Sequence, residues 1–187
     1  IMADGYESRI QPHLPPFTYI GVDCFGPYLT SHYHEGSNKW YGLIITCLTS
    51  RAVHIEMLKS LEAEAFLNAF RRYIARRGSP RTVFSDHGTN FLKSRSELQR
   101  AFHQHAESTL KAYSVTRSIE WNMICVRSPH TGGSWERLVG VIKRVFKAIL
   151  PHAKRMSDEI LETTFCKAEA IINGHPLTKL SSDVNDH

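Results

Sequence analysis

Phe17-Thr18-Tyr19-Ile20-Gly21-Val22-Asp23-Cys24-Phe25 reads as a buried β-strand interrupted by a single acid. Its aromatic and β-branched residues suit a pleated, covered surface. A carboxylate in such a run needs a partner, because charged groups are almost never fully buried alone. Two further acids stand in comparable settings. Asp86 ends the short strand Thr82-Val83-Phe84-Ser85-Asp86, directly before His87-Gly88-Thr89-Asn90. Glu136 opens an amphipathic helix after the loop Pro129-His130-Thr131-Gly132-Gly133. Divalent cations are the usual partner of several carboxylates at once, so Asp23, Asp86 and Glu136 read as a metal-binding active site.

Working outward, the first strand is expected to stop at Gly26-Pro27. A second strand covers residues 39–48, and a third, Ala52-Val53-His54-Ile55-Glu56-Met57, alternates as if one face were covered. Short turns would join the three as an antiparallel meander. A helix follows, with Ser60 as N-cap, Phe66, Phe70, Tyr73 and Ile74 at helical spacing, and Gly78 with Pro80 as its stop. After the strand that ends at Asp86, residues 95–112 read as a helix and 118–125 as a fifth strand. The Gly132-Gly133 loop, expected to be flexible, feeds a helix over 134–149, broken at Pro151. A last helix runs from an N-cap at Ser157 to about Ile172, with Asn173-Gly174 as its stop. The order predicts an α/β fold with a mixed five-stranded sheet: three antiparallel strands, then helix-linked strands, with helices on both faces. Residues 1–16 read as an irregular lead-in, 17–180 as one compact domain and 181–187 as a tail.

The 187 residues, 42% of them hydrophobic, suffice for one domain with a sizeable core. No apolar run approaches the length of a transmembrane helix, so no membrane association is expected. The start lacks a signal-peptide pattern and Ile1 is not an initiator Met, so a piece of a longer protein is expected. Cys24, Cys47, Cys125 and Cys166 are scattered without a C-x-x-C pair, which favours buried free thiols and a reducing, intracellular setting. Among 11 histidines only His32 and His34 are closely paired, and they fall in a polar hairpin loop.

Charge is informative by position. Residues 134–155 carry Arg137, Lys143, Arg144, Lys147, Lys154 and Arg155 against Glu136 alone, which accounts for the whole net charge of +5. A polyanion drawn to this stripe would bring its phosphates to the acids. A second basic run, Arg71-Arg72, Arg76-Arg77 and Arg81, fits a solvated face and a second polyanion contact equally well. With Glu136 at 0° on its helix, Gly140 falls at about 40°, Lys143 at about −20° and Lys147 at about 20°. Trp135, Leu138, Val139, Val141, Ile142, Val145, Phe146 and Ile149 take the opposite, apolar arc. Taken alone, Glu136 reads as a solvated first-turn acid favoured by the helix dipole. Three independently placed carboxylates turn the reading to metal.

Three segments resemble the active-site motifs of retroviral and retrotransposon integrase catalytic cores: Gly21-Val22-Asp23-Cys24-Phe25-Gly26-Pro27, Ser85-Asp86-His87-Gly88-Thr89-Asn90-Phe91 and Ser128-Pro129-His130-Thr131-Gly132-Gly133-Ser134-Trp135-Glu136. Thr49-Ser50-Arg51-Ala52-Val53-His54-Ile55-Glu56, Tyr73-Ile74-Ala75-Arg76-Arg77-Gly78 and Ile172-Asn173-Gly174-His175-Pro176-Leu177-Thr178 are similar to the BEL/Pao-type LTR retrotransposon branch. The resemblance covers roughly residues 12–186. It implies an RNase H-like fold, Asp23, Asp86 and Glu136 as the catalytic, metal-binding triad, Lys143 as a DNA contact and Asn90 as a polar neighbour of the site. Three features depart from the family pattern. The 49 residues between Asp86 and Glu136 imply an insertion within 94–116. His87 stands where Asn is commonest, and Gly140 where retroviral enzymes often carry lysine. The family's upstream His/Cys zinc domain and downstream DNA-binding domain have no counterpart in these residues.

The function implied is a polynucleotidyl transferase core using two Mg²⁺ or Mn²⁺ ions for DNA 3′-end processing and strand transfer, with Lys143, Arg144 and Lys147 on the phosphate backbone. Element ends and target DNA are the expected partners, in a homo-oligomer that reaches the nucleus when it acts on target DNA, with no small-molecule substrate. A ribonuclease H or a transposase would share this chemistry. A domesticated, non-catalytic DNA-binding or oligomerisation module would share the fold without it.

Overall fold

The computed structural model describes residues 13–31, 37–86, 118–124, 140–150 and 156–174. The strands are β1 (Tyr19–Ser31), β2 (Ser37–Cys47), β3 (Val53–Leu58), β4 (Thr82–Asp86) and β5 (Glu120–Ile124). The helices are α1 (Ala63–Arg77), α2 (residues 140–149) and α3 (Asp158–Asn173). The lead-in before residue 13, the paired histidines, the expected helix over 95–112, the insertion within 94–116, Cys125 and the tail from 181 lie outside the described residues.

The five strands form one mixed sheet in the order β3-β2-β1-β4-β5. β1, β2 and β3 are the expected antiparallel meander, and β4 and β5 add in parallel on the other side of β1. α1, the crossover from β3 to β4, covers one face. Phe66, Leu67, Phe70 and Tyr73 pack there on Ile20, Val22, Leu43, Ile45 and Val83. The opposite face carries Ile142 and Phe146 of α2 and Leu161, Phe165 and Ala168 of α3, packed on Phe25, Ile44, Ile55 and Phe84. This is the layered arrangement expected when every strand must bury both of its faces. No helix among the described residues is long and apolar enough to cross a membrane.

Helix ends follow their chemistry. Ser157 caps α3 by accepting from the Ile160 N–H at 3.2 Å, and Gly174 closes it. Asp158 in the first turn accepts the Trp40 indole N–H at 2.7 Å and the Thr30 hydroxyl, pinning α3 to the far end of the β1–β2 ladder. Gly78 ends α1 with φ +89°, a conformation that favours glycine.

Three expectations are corrected. β1 does not stop at Gly26-Pro27. It passes through a cis Gly26–Pro27 peptide and a register shift between Phe25 and Tyr28, then resumes with Tyr28 opposite Trp40. A bulge absorbs the proline's missing N–H, so the ladder survives it. α1 begins after Glu62 rather than Ser60, whose hydroxyl instead accepts the Glu62 N–H at 3.3 Å.

The third correction concerns β3, which is covered on both faces, with His54 at 3% and Glu56 at 4% exposure. Its alternation reads as half-solvated because two of its buried residues are polar and paired. Glu56 accepts from Arg72 Nε at 2.7 Å and Arg76 Nη1 at 3.0 Å, and bonds His54 Nε2 at 2.9 Å. Glu169 of α3 accepts from Arg77 Nη2 at 2.7 Å and stands 3.4 Å from His54 Nδ1. The basic run of α1 is therefore largely the counter-charge of two enclosed carboxylates. Burial alone would lower the His54 pKa, but the bonds to Glu169 and Glu56 outweigh it and raise it. Burial alone would raise Glu56 and Glu169, but their His54, arginine and backbone donors hold both below the ordinary range.

The same cluster closes the outer edge of the sheet. Asn173 accepts the Val53 N–H and donates to its C=O, each at 2.8 Å. Glu169 Oε2 accepts the Ile55 N–H at 2.9 Å, and Arg72 Nη2 donates to the Met57 carbonyl at 2.7 Å. Side chains thus take the place of a sixth strand and leave these groups unavailable to another chain. The segments around residues 49–56, 73–78 and 172–174 meet here, although they are far apart in sequence.

Candidate active site

Asp23 stands in the middle of β1, the central strand, opposite Ile44 and on the face that α2 covers. Its carboxylate is 26% exposed. Oδ1 accepts the Cys24 N–H at 2.8 Å, and Oδ2 lies 3.7 Å from Lys143 Nζ. The strand places this acid where a core residue would otherwise sit, and the helix supplies a cation beside it. Burial pushes the neighbouring Cys24 thiol well above its ordinary range, Asp23 adds to this, and Lys143 opposes it.

Asp86 is the last residue of β4, which runs parallel to β1. Val22 pairs with Ser85, so the next positions along the two strands are Asp23 and Asp86. Adjacent strands lie about 4.8 Å apart, which brings the two backbones to neighbouring positions at one end of the parallel pair. In open α/β sheets, ligands bind in the crevice at such strand ends. The Asp86 side chain, Glu136, Asn90, Gly132 and Gly133 lie outside the described residues. Among those described, no three acidic, imidazole or thiol groups cluster to hold a metal ion.

α2 shows its expected two-sidedness over residues 140–149. Ile142 and Phe146 are buried and fix the helix azimuth, while Lys143, Arg144 and Lys147 are exposed. One apolar assignment is corrected, since Val141 is 37% exposed. A Cβ added at Gly140 meets nothing within 4 Å among the described residues, consistent with a small residue on an open face.

The residues present suit a hard cation. Asp23 is a partly solvated carboxylate already facing one positive charge, and a second acid follows at the adjacent strand position. Sequence reasoning missed the Asp23–Lys143 pair. Helical periodicity relates Lys143 to Glu136 on its own helix but carries no information about which strand residue that face meets.

No family model matches the chain, and neither does any curated protein. Solved structures do. The catalytic core of the HTLV-2 integrase in complex with magnesium superposes in its trimeric form with a TM-score of 0.53 at 19% identity, over 88% of this chain and 90% of that one. Its dimeric form gives 0.53 at 20% identity, over 91% and 94%. A simian T-cell lymphotropic virus intasome in complex with the PP2A regulatory subunit B56γ gives 0.54 at 14% identity, over 100% of this chain and 64% of that chain. The mixed five-stranded sheet with helices on both faces is the RNase H-like fold of integrase catalytic cores.

Proposed function

We propose that this chain is the catalytic core of a retroelement integrase of the BEL/Pao type, a metal-dependent polynucleotidyl transferase for DNA 3′-end processing and strand transfer. The observation that carries the reading is that Asp23 and Asp86 each follow directly on the Val22–Ser85 pair, beside a basic helix in an integrase-like fold. Asp23, Asp86 and Glu136 would hold Mg²⁺ or Mn²⁺, the magnesium complex of the HTLV-2 core being the supporting parallel. Bound there, a pair of hard cations supplies the charge that an in-line phosphoryl displacement needs on its attacking and leaving oxygens.

The chain's own residues do the rest. Asp23, on the central strand, sets the position of the site. Lys143, Arg144 and Lys147 line the exposed face of α2 and bind the DNA backbone, largely without regard to sequence. Asn90 is a polar neighbour, and the Gly132-Gly133 loop lets the Glu136 helix settle onto DNA. The nucleophile is water in end trimming and the DNA 3′-hydroxyl in joining, so no side chain becomes covalently attached. The partners are element ends, target DNA and further copies of the chain, as the dimeric and trimeric forms of the HTLV-2 core and the simian virus intasome suggest. The protein works inside the cell, in the nucleus when it acts on target DNA.

The test is Mn²⁺-dependent cleavage or joining of a branched DNA by the wild type and by Glu136→Gln. Activity in the first and its loss in the second supports the reading. Wild-type joining by a folded Glu136→Gln protein overturns it.

A further inference from the structure

The two oxygens of Asp23 are divided between different partners. Oδ1 is engaged by the Cys24 N–H, and Oδ2 faces the Lys143 ammonium at 3.7 Å. Lys143 cannot drift along the sheet, because Ile142 and Phe146 on either side of it are buried at 0% and 1%. Its side chain is nevertheless 42% exposed, on a flexible four-carbon stem. The head group is therefore within reach of both Asp23 and solvent, while its root is fixed.

A hard divalent cation on Asp23 Oδ2 would sit about 2.1 Å from that oxygen. The ammonium, at 3.7 Å from the same oxygen, would then share a carboxylate with two further positive charges. The two cations would repel each other across one carboxylate. That repulsion would weaken the hold of Asp23 on Lys143, and DNA phosphate offers the exposed ammonium another anion.

We propose that Lys143 is the resident counter-ion of Asp23 in the metal-free protein, and that metal binding hands it over to DNA phosphate. The inference rests on Asp23 being a metal ligand, as in the proposed function. It makes Lys143 a positioning residue: it neutralises Asp23 until the metal arrives, then becomes available to the substrate. Metal and DNA binding are thereby coupled, and the coupling is reciprocal. Each ligand raises the affinity for the other, because each removes one competitor for the shared charge.

The experiment is calorimetric titration of Mn²⁺ into the full chain, with and without a short DNA duplex. The proteins are wild type, Lys143→Met, Lys147→Met and Asp23→Asn, each shown folded by circular dichroism. Without DNA, Lys143→Met is expected to bind Mn²⁺ about fivefold tighter than wild type, the effect of no longer giving up one unit-charge attraction to Asp23 at about 4 Å in a water-like medium. Lys147→Met, one turn further along α2, should change the affinity less, because among the described residues Asp23 pairs with Lys143, and Coulomb effects fall with distance and salt. DNA should tighten Mn²⁺ binding in wild type, and that gain should shrink in Lys143→Met.

Unchanged or weaker Mn²⁺ binding by Lys143→Met, at a site that Asp23→Asn abolishes, overturns the inference and leaves the proposed function standing. An equal gain in Lys147→Met overturns it too, by showing a general field rather than a specific counter-ion. Absence of any Asp23-dependent Mn²⁺ site, in wild type and Lys143→Met alike, overturns both.

Discussion

Glu56→Gln keeps the shape of a buried side chain and removes its charge, which isolates the electrostatic part of the cluster that joins α1, β3 and α3. Glu56 is 4% exposed and meets Arg72 at 2.7 Å, His54 at 2.9 Å and Arg76 at 3.0 Å. Bonds to charged groups contribute about 1.5–3 kcal/mol each when enclosed. Arg72 and Arg76 are 44% and 61% exposed, however, so water compensates most of what they lose. The buried His54 contact then dominates, and the expected cost is about 2–3 kcal/mol. For a chain of this size that lowers Tm by roughly 4–12 °C.

The pH dependence gives the sharper test. Glu56 is held below its ordinary 4.5, so its contribution is present above that value and lost as pH falls through the lower, folded one. His54 is raised above 6.5, so its contribution is present below that value and lost as pH rises through the folded one. The penalty of Glu56→Gln should therefore be largest between these two values. It should shrink as pH falls through the lowered Glu56 value, and partly as pH rises through the raised His54 value. Urea melts over a pH series spanning both transitions, in one ionic strength, measure it directly. A penalty of the same size across the whole series would refute the electrostatic account of β3.

Three further outcomes are expected. Asn173→Ala removes both bonds to Val53 and should cost about 1–3 kcal/mol in thermal unfolding. Because it also bares part of the sheet edge, light scattering should show concentration-dependent association that the wild type lacks. In Gly42→Ala the new methyl collides with the Phe25 ring, which is held by Phe146 and Phe165, so a loss of about 1–3 kcal/mol in chemical denaturation is expected. Lys147→Ala should weaken duplex binding uniformly across sequences and reduce the slope of log affinity against log salt by about 1, read by fluorescence anisotropy.

The parts of this fold that were legible in sequence are those whose cause is local. Ser157 and Gly174 bound α3 because capping is decided within a few residues. Asp23 stood out because an acid in an apolar strand is anomalous on its own. What was not legible depends on partners distant in sequence. Pro27 reads as a strand end because its missing N–H is a local fact, whereas the bulge that accommodates it belongs to the pairing with β2. His54 and Glu56 read as solvent-facing because their counter-charges come from α1 and α3, up to 115 residues away. The same holds for Lys143, whose partner on β1 only the packing of Ile142 and Phe146 reveals.

The central claim is that the acid at the middle of β1 and the acid at the end of β4 hold one metal site. A crystal of the protein soaked in Mn²⁺, with anomalous data collected at the manganese edge, tests it most directly. The account predicts an anomalous peak within coordination distance of both the Asp23 and Asp86 carboxylates, with Lys143 withdrawn from Asp23. Peaks only elsewhere would contradict it, whereas a peak there beside an intact Asp23–Lys143 pair would contradict only the hand-over of Lys143.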